Sequence, residues 1–135
     1  MRFVIASLAI LGLIVSILAL RVHYSNDVEP CDINSHWDCG VVNHSRYAEV
    51  QHIPVAAIGI VGYLGLALLA VQGRRVLTLL ASAAGCAFAL YLTSIEAFHL
   101  QVWCLYCVIS QITIALITIF SVIWILLKRN RLQSV

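Results

Sequence analysis

The sequence predicts an all-α membrane protein: a four-transmembrane-helix bundle with a long external loop between helices 1 and 2. Three observations carry this. Of the 135 residues, 62% are hydrophobic and only 10% are charged. Ordinary soluble domains carry about 25% charge, so most of this surface must face something other than water. Four apolar runs approach the length of about 20 residues that a bilayer core demands of a helix. The basic residues, finally, gather on one side of the topology those runs define. Because lipid offers no partners to backbone N–H and C=O groups, each run must be a helix that satisfies its own hydrogen bonds.

A single domain, 1–135, is expected, with spans at about 3–21, 53–71, 76–100 and 103–127 and an external loop at 22–52. The first run opens with Met1-Arg2, as a signal peptide would. It is long for such a segment, however, and no small-x-small cleavage site precedes the polar stretch, so it reads as a span. The loop holds five of the six acidic residues, together with Cys31 and Cys39. Pro54 suits the first turn of the second helix. Gly59, Gly62 and Gly65 on that helix either open a slot between helices or let them pack closely. The turn Gln72-Gly73-Arg74-Arg75 leads into the third run, and the fourth ends at Lys128. Trp103 and Tyr106 suit an interfacial aromatic belt.

Four spans put both termini and the Arg74-Arg75 turn on one side. That side carries Arg2, Arg74, Arg75, Lys128, Arg129 and Arg131, six of the eight basic residues. The other side carries Arg21 and Arg46. The positive-inside rule therefore makes the termini cytoplasmic and the loop external. A net charge of +2 gives no sign of a nucleic-acid partner. With no soluble extension at either end, any second domain needed for activity is expected on a separate polypeptide.

This topology brings four of the five cysteines to the outer surface, the side on which disulfides persist. Cys31 and Cys39 lie in the loop, and Cys104-Leu105-Tyr106-Cys107 starts the fourth helix. Cys86, inside the third span, reads as a small buried apolar residue. A Cys-x-x-Cys at a helix start points to redox chemistry, because the helix dipole favours thiolate over thiol. Two static disulfides would also use these residues. So would a zinc site, with Cys31, Cys39 and His36 or His44 completing a tetrahedral set. Redox chemistry needs an electron sink, and the chain has no nucleotide-binding glycine pattern and no Cys-x-x-Cys-His haem attachment. A lipid-soluble quinone in an apolar slot between helices is the simplest sink left.

The sequence resembles the vitamin K epoxide reductase family through nearly its whole length. The resemblance rests on Cys31 and Cys39, then Asn43-His44-Ser45-Arg46-Tyr47, then Ile53-Pro54-Val55 leading to Gly59 and Tyr63. Tyr91-Leu92-Thr93 and Trp103-Cys104-Leu105-Tyr106-Cys107 follow. It implies a quinone of ubiquinone, menaquinone or vitamin K type as cofactor, no metal, and quinone-side positions at Ser45, Val55, Gly59, Tyr63 and Gln111. It also implies a relay. A thioredoxin-fold partner reduces the loop disulfide at Cys31, Cys39 attacks Cys104, and Cys107 is released beside the quinone. Gln111 stands where the animal enzymes have a tyrosine, and Val55 where they have an asparagine. The chain is thus closer to bacterial members, which reduce an ordinary quinone and reoxidise a DsbA-type exported protein at the inner membrane. Glu96 and His99, three apart on the third helix, are candidates for a proton relay, because an ionisable group inside a span is functional by default. Their alternative role is to pair with each other or to snorkel to the surface.

Overall fold

The computed structural model describes residues 1–25 and 32–134. Four long helices account for most of it: α1 (Arg2–Tyr24), α3 (Val55–Val71), α4 (Arg75–Ile95) and α5 (Leu105–Gln133). The short helix α2 (Cys39–His44) and the strands β1 (Glu49–Val50) and β2 (Ile53–Pro54) lie between α1 and α3. The long helices form a ring, in which α1 packs on α3 and α5, and α4 packs on α5 and α3. α1, α5 and α4 with its continuation to Leu100 are long and apolar enough to cross a membrane, while α3, with 17 residues, is a shorter apolar helix. Large apolar side chains cover the outside of the ring. Val61 is 72% exposed and Phe98 78%, a surface stable only against lipid.

Small residues set the distance between α1 and α3. The buried face of α1 includes Ala6, Ala9, Gly12, Ser16 and Ala19, recurring at helical spacing so that another helix can approach closely. Gly12 lies against the Tyr63 ring with no room for a Cβ, and a Cβ on Gly59 would meet Ser16 Oγ at 2.8 Å. Gly62 meets nothing within 4 Å, and neither does Gly65. The glycines of α3 therefore divide: Gly59 serves packing and Gly62 leaves space. The core below is built from Ile5, Ala9, Tyr63, Leu66, Ala70, Ile114, Ile117 and Trp124, and Cys86 packs at its edge. Buried hydroxyls in the helices turn back on their own backbones, Ser121 Oγ donating to the Ile117 carbonyl at 2.7 Å and Thr78 Oγ1 to Arg74 at 2.8 Å.

The helix ends differ from the sequence expectation in four places. α1 continues to Tyr24 and α5 to Gln133, because a helix leaving the bilayer needs no further apolar residues to persist. Pro54 precedes α3 as its N-cap, in extended conformation, instead of lying inside its first turn. There it ends a hairpin of Glu49–Val50 and Ile53–Pro54 whose two-residue turn, Gln51-His52, has positive φ at both positions, as tight hairpins require. The third helix does not run unchanged to residue 100: α4 ends at Ile95 and a π turn covers Glu96–Leu100.

Replacing Gly12 with alanine should destabilise the protein by about 1–3 kcal/mol through overpacking against Tyr63, whereas Gly62→Ala should cost under about 1 kcal/mol. Thermal unfolding of the two variants in detergent checks the contrast; equal losses would mean that the α1–α3 spacing is not set at Gly12.

Candidate functional site

The loop is pinned to the bundle by main-chain groups. Trp103 N–H donates to the His36 carbonyl at 2.7 Å and Asp38 N–H donates to the Trp103 carbonyl at 3.0 Å, forming a parallel bridge between Trp37 and Trp103. The two indole rings lie 6.5 Å apart. Asp38 then caps α2, its carboxylate accepting from Val41 N–H at 3.0 Å, which satisfies one of the orphan donors of a helix start. Cys39 is the first residue of α2 and Cys104 the N-cap of α5. Both are fully buried, and their Sγ atoms lie 3.4 Å apart. This is sulfur–sulfur contact, the separation from which a thiolate attacks a disulfide. Cys39 is disulfide-bonded, while Cys104 and Cys107 are free thiols. Cys31, expected in the same site, lies outside the described residues.

Donors converge on the Cys104 sulfur. Asn43 Nδ2 lies 3.5 Å away, and the Cys107 side chain interacts with it from the first turn of α5. Hydrogen bonding from Cys107 outweighs burial and the nearby Glu96 carboxylate, and holds the Cys104 thiol below its ordinary range. The Cys104 N–H donates to Glu96 Oε2 at 3.4 Å, and the same carboxyl group is hydrogen-bonded to the Cys107 thiol. The π turn aims Glu96 in this way. Its wider winding carries residues three apart to different faces, so Glu96 is buried while His99 is exposed. His99 sits edge-on to the Tyr47 ring at 5.8 Å, and the two proton-relay candidates therefore do not share a face.

Beside Cys107, between the helices, lies a cavity of about 270 Å³. Its walls are mainly apolar, with Ile58, Phe88 and Leu92 among them. Ser45, Val55, Gly59 and Tyr63 line it too, as do Cys107 and Glu96. Gln111 is not on this wall; its side-chain carbonyl accepts from Thr93 Oγ1 at 3.4 Å. The Tyr63 hydroxyl is anchored on α5, donating to the Ser110 carbonyl at 2.9 Å, and Ser45 Oγ donates to the Val42 carbonyl at 2.8 Å. Apolar walls with few polar groups suit a flat lipid-soluble ring. Among the described residues, no group of three or more His, Cys, Asp or Glu side chains is arranged to hold a metal ion.

Sequence reasoning assigned no role to Trp37, Asn43 or Ser110. Asn43 left one signal: it lies four residues after Cys39, which puts both on one face of a short helix. Ser110 and Trp37 meet their partners, Tyr63 and Trp103, only once distant segments come together.

Residues 3–122 match the vitamin K epoxide reductase family. No curated protein matches the chain. The matched segment contains all five cysteines and every long helix except the C-terminal turns of α5 and the first residue of α1. The chain belongs to the vitamin K epoxide reductase family, a family of membrane oxidoreductases whose chemistry joins quinones and disulfides.

Proposed function

We propose that this protein is a quinone-dependent thiol–disulfide oxidoreductase that forms disulfides in a separate thioredoxin-fold, DsbA-type exported protein. The observation that carries this reading is the 3.4 Å contact between Cys39 and Cys104, three residues before Cys107, which lines a mainly apolar cavity. The reading includes four spans in a bacterial plasma membrane. α3, with 17 residues, sits at the short end of the roughly 17–25 that cross a bilayer. Both termini are then cytoplasmic, and the cysteine pairs face the periplasm.

The partner's thiolate attacks the loop disulfide at Cys31, forming a mixed disulfide and freeing Cys39. Cys39 attacks Cys104 of the Cys104–Cys107 disulfide; the Cys39–Cys104 bond forms and Cys107 leaves as a thiolate on the cavity wall. The partner's second thiol then displaces Cys31 and departs oxidised. Cys31 attacks Cys39, the loop disulfide re-forms, and Cys104 is released. Two electrons have moved from the partner to the helix pair, and each step is thiolate attack on a disulfide sulfur. A Cys39 held in a disulfide beside free Cys104 and Cys107 is the arrangement these steps lead to.

The cavity wall would hold a quinone, which would supply a sink for two electrons and two protons. Cys107 delivers the electron pair, and Cys104 closes back onto it to renew the disulfide. Glu96, buried on the same wall and hydrogen-bonded to Cys107, supplies a proton. His99 faces away and takes no direct part. Ser45 and Tyr63 are among the few polar side chains on the mainly apolar wall.

A static role for the cysteines predicts a different outcome. With excess reduced thioredoxin-fold protein and no quinone, thiol trapping should find Cys104 and Cys107 reduced; if they stay oxidised, the enzyme reading fails. Cys107→Ala should abolish quinone reduction and accumulate a Cys39–Cys104 disulfide visible on non-reducing gels, and continued quinone turnover in that variant is incompatible with the relay. Glu96→Gln should slow quinol formation about 10²-fold or more, the usual loss of a positioned proton donor. Transfer between the cysteine pairs should persist, so stopped-flow measurement of the two half-reactions separates the roles.

A further inference from the structure

We propose that Asn43 is the positioning residue of the relay, its side-chain amide joining the two cysteine-bearing elements and stabilising charge on the Cys104 sulfur while Cys39 is docked. This rests on the thiol–disulfide reading above. Asn43 belongs to α2, the element that carries Cys39, and it is only 7% exposed. Its Nδ2 lies 2.9 Å from the Cys39 carbonyl and 3.5 Å from Cys104 Sγ. An amide nitrogen has two N–H donors, so one is spent on the α2 backbone and the other on the sulfur across the gap. The amide cannot be turned round, because its oxygen would then face the Cys39 carbonyl, which only accepts.

The backbone of Asn43 is held from the opposite side. Its carbonyl accepts from His23 Nδ1 at the end of α1. His23 Nε2 faces the Glu49 carboxylate of β1 at 3.2 Å, and the imidazole stacks on His44. The main chain of Asn43 is thus held by α1, with Glu49 of β1 bracing His23, while its side-chain amide joins the Cys39 carbonyl to the sulfur of Cys104.

The groups facing that sulfur come from three elements. Cys107 on α5 presents its thiol, Glu96 on the π turn presents a carboxyl group that opposes thiolate charge, and Cys39 and Asn43 approach on α2. Cys107 and Glu96 belong to the bundle and remain whatever the loop does. Asn43 travels with Cys39. Cys104 therefore receives this donor only when the sulfur it exchanges with is in reach, and charge on Cys104 is favoured when it can be used. In the step concerned, Cys104 thiolate attacks Cys39 Sγ. The Cys39–Cys104 bond forms, the loop disulfide breaks, and the electron pair leaves on the other loop sulfur. The reverse step returns that pair to Cys104, where the same N–H receives it.

The test uses the full-length Cys107→Ala protein with its loop oxidised, in which Asn43 is the remaining side-chain donor to Cys104. Formation of the Cys39–Cys104 disulfide is followed by acid quench and non-reducing gels from about pH 5 to pH 9, the range over which cysteine thiolates form. Adding Asn43→Leu should raise the midpoint of the rate profile by about one pH unit and slow the reaction about tenfold below it, as expected for losing a hydrogen bond to a charged group. Asn43→Ala, which removes the donor without adding bulk, should shift the midpoint in the same direction. A rate lowered by one factor at every pH, with the midpoint unmoved, would overturn the proposal, since loosened packing alone gives that result. If no Cys39–Cys104 disulfide forms in Cys107→Ala itself, the relay falls and this inference with it; if it forms with a midpoint indifferent to Asn43, only the inference falls.

Discussion

The parallel backbone bridge between Trp37 and Trp103 is the contact on which the rest of the site depends. A helix of six residues such as α2 cannot hold itself together in water, where even good sequences need roughly 12–15 residues. It persists because the chain just before it is hydrogen-bonded to the chain just before α5. Cys39 follows Trp37 by two residues and Cys104 follows Trp103 directly, so the bridge that orders the loop also brings the sulfurs together. Asp38, in between, gives its N–H to the bridge and its carboxylate to the cap of α2.

Beneath that surface the bundle must be tight in one place and open in another. α1 and α3 close on each other where Gly12 meets Tyr63 and Gly59 meets Ser16. Tyr63 then reaches across to α5, its hydroxyl bonded to Ser110, so one side chain links three helices. The space left toward Gly62 and α4 is the cavity. A buried carboxyl group on its wall is costly in an apolar setting. Glu96 offsets part of that cost by accepting the N–H of Cys104, a group that, as the N-cap of α5, has no place in that helix's own ladder.

The two ends of the molecule thus have different chemistry. Basic residues and plain helical packing mark one end, while buried polar contacts gather at the other. Asn43, Glu96, Cys104 and Cys107 form a single connected set there, each hydrogen-bonded to at least one other. The set is drawn from the loop, from the π turn and from α5, so moving any one of these elements changes the surroundings of Cys104.

Much of this was legible in the residues alone. Membrane residence, the four helical segments and the distribution of charge follow from hydropathy and from the need of each backbone to bond to itself in lipid, which are local properties. The helix-start Cys104-x-x-Cys107 was equally plain. The π turn was not, because Glu96-Ala97-Phe98-His99-Leu100 has the same average polarity whether it winds as α or π; only the winding separates Glu96 from His99. Gln111 likewise sits at an apt position in the sequence, but it stands behind the cavity wall, bonded to Thr93, which lines it. The sequence by itself determined that this chain is a helical membrane protein with cysteines gathered beyond one set of helix ends. Which sulfur touches which, and which polar groups attend them, only the tertiary structure decided, because those distances are set by a main-chain bridge between distant segments, made from groups that every residue but proline possesses.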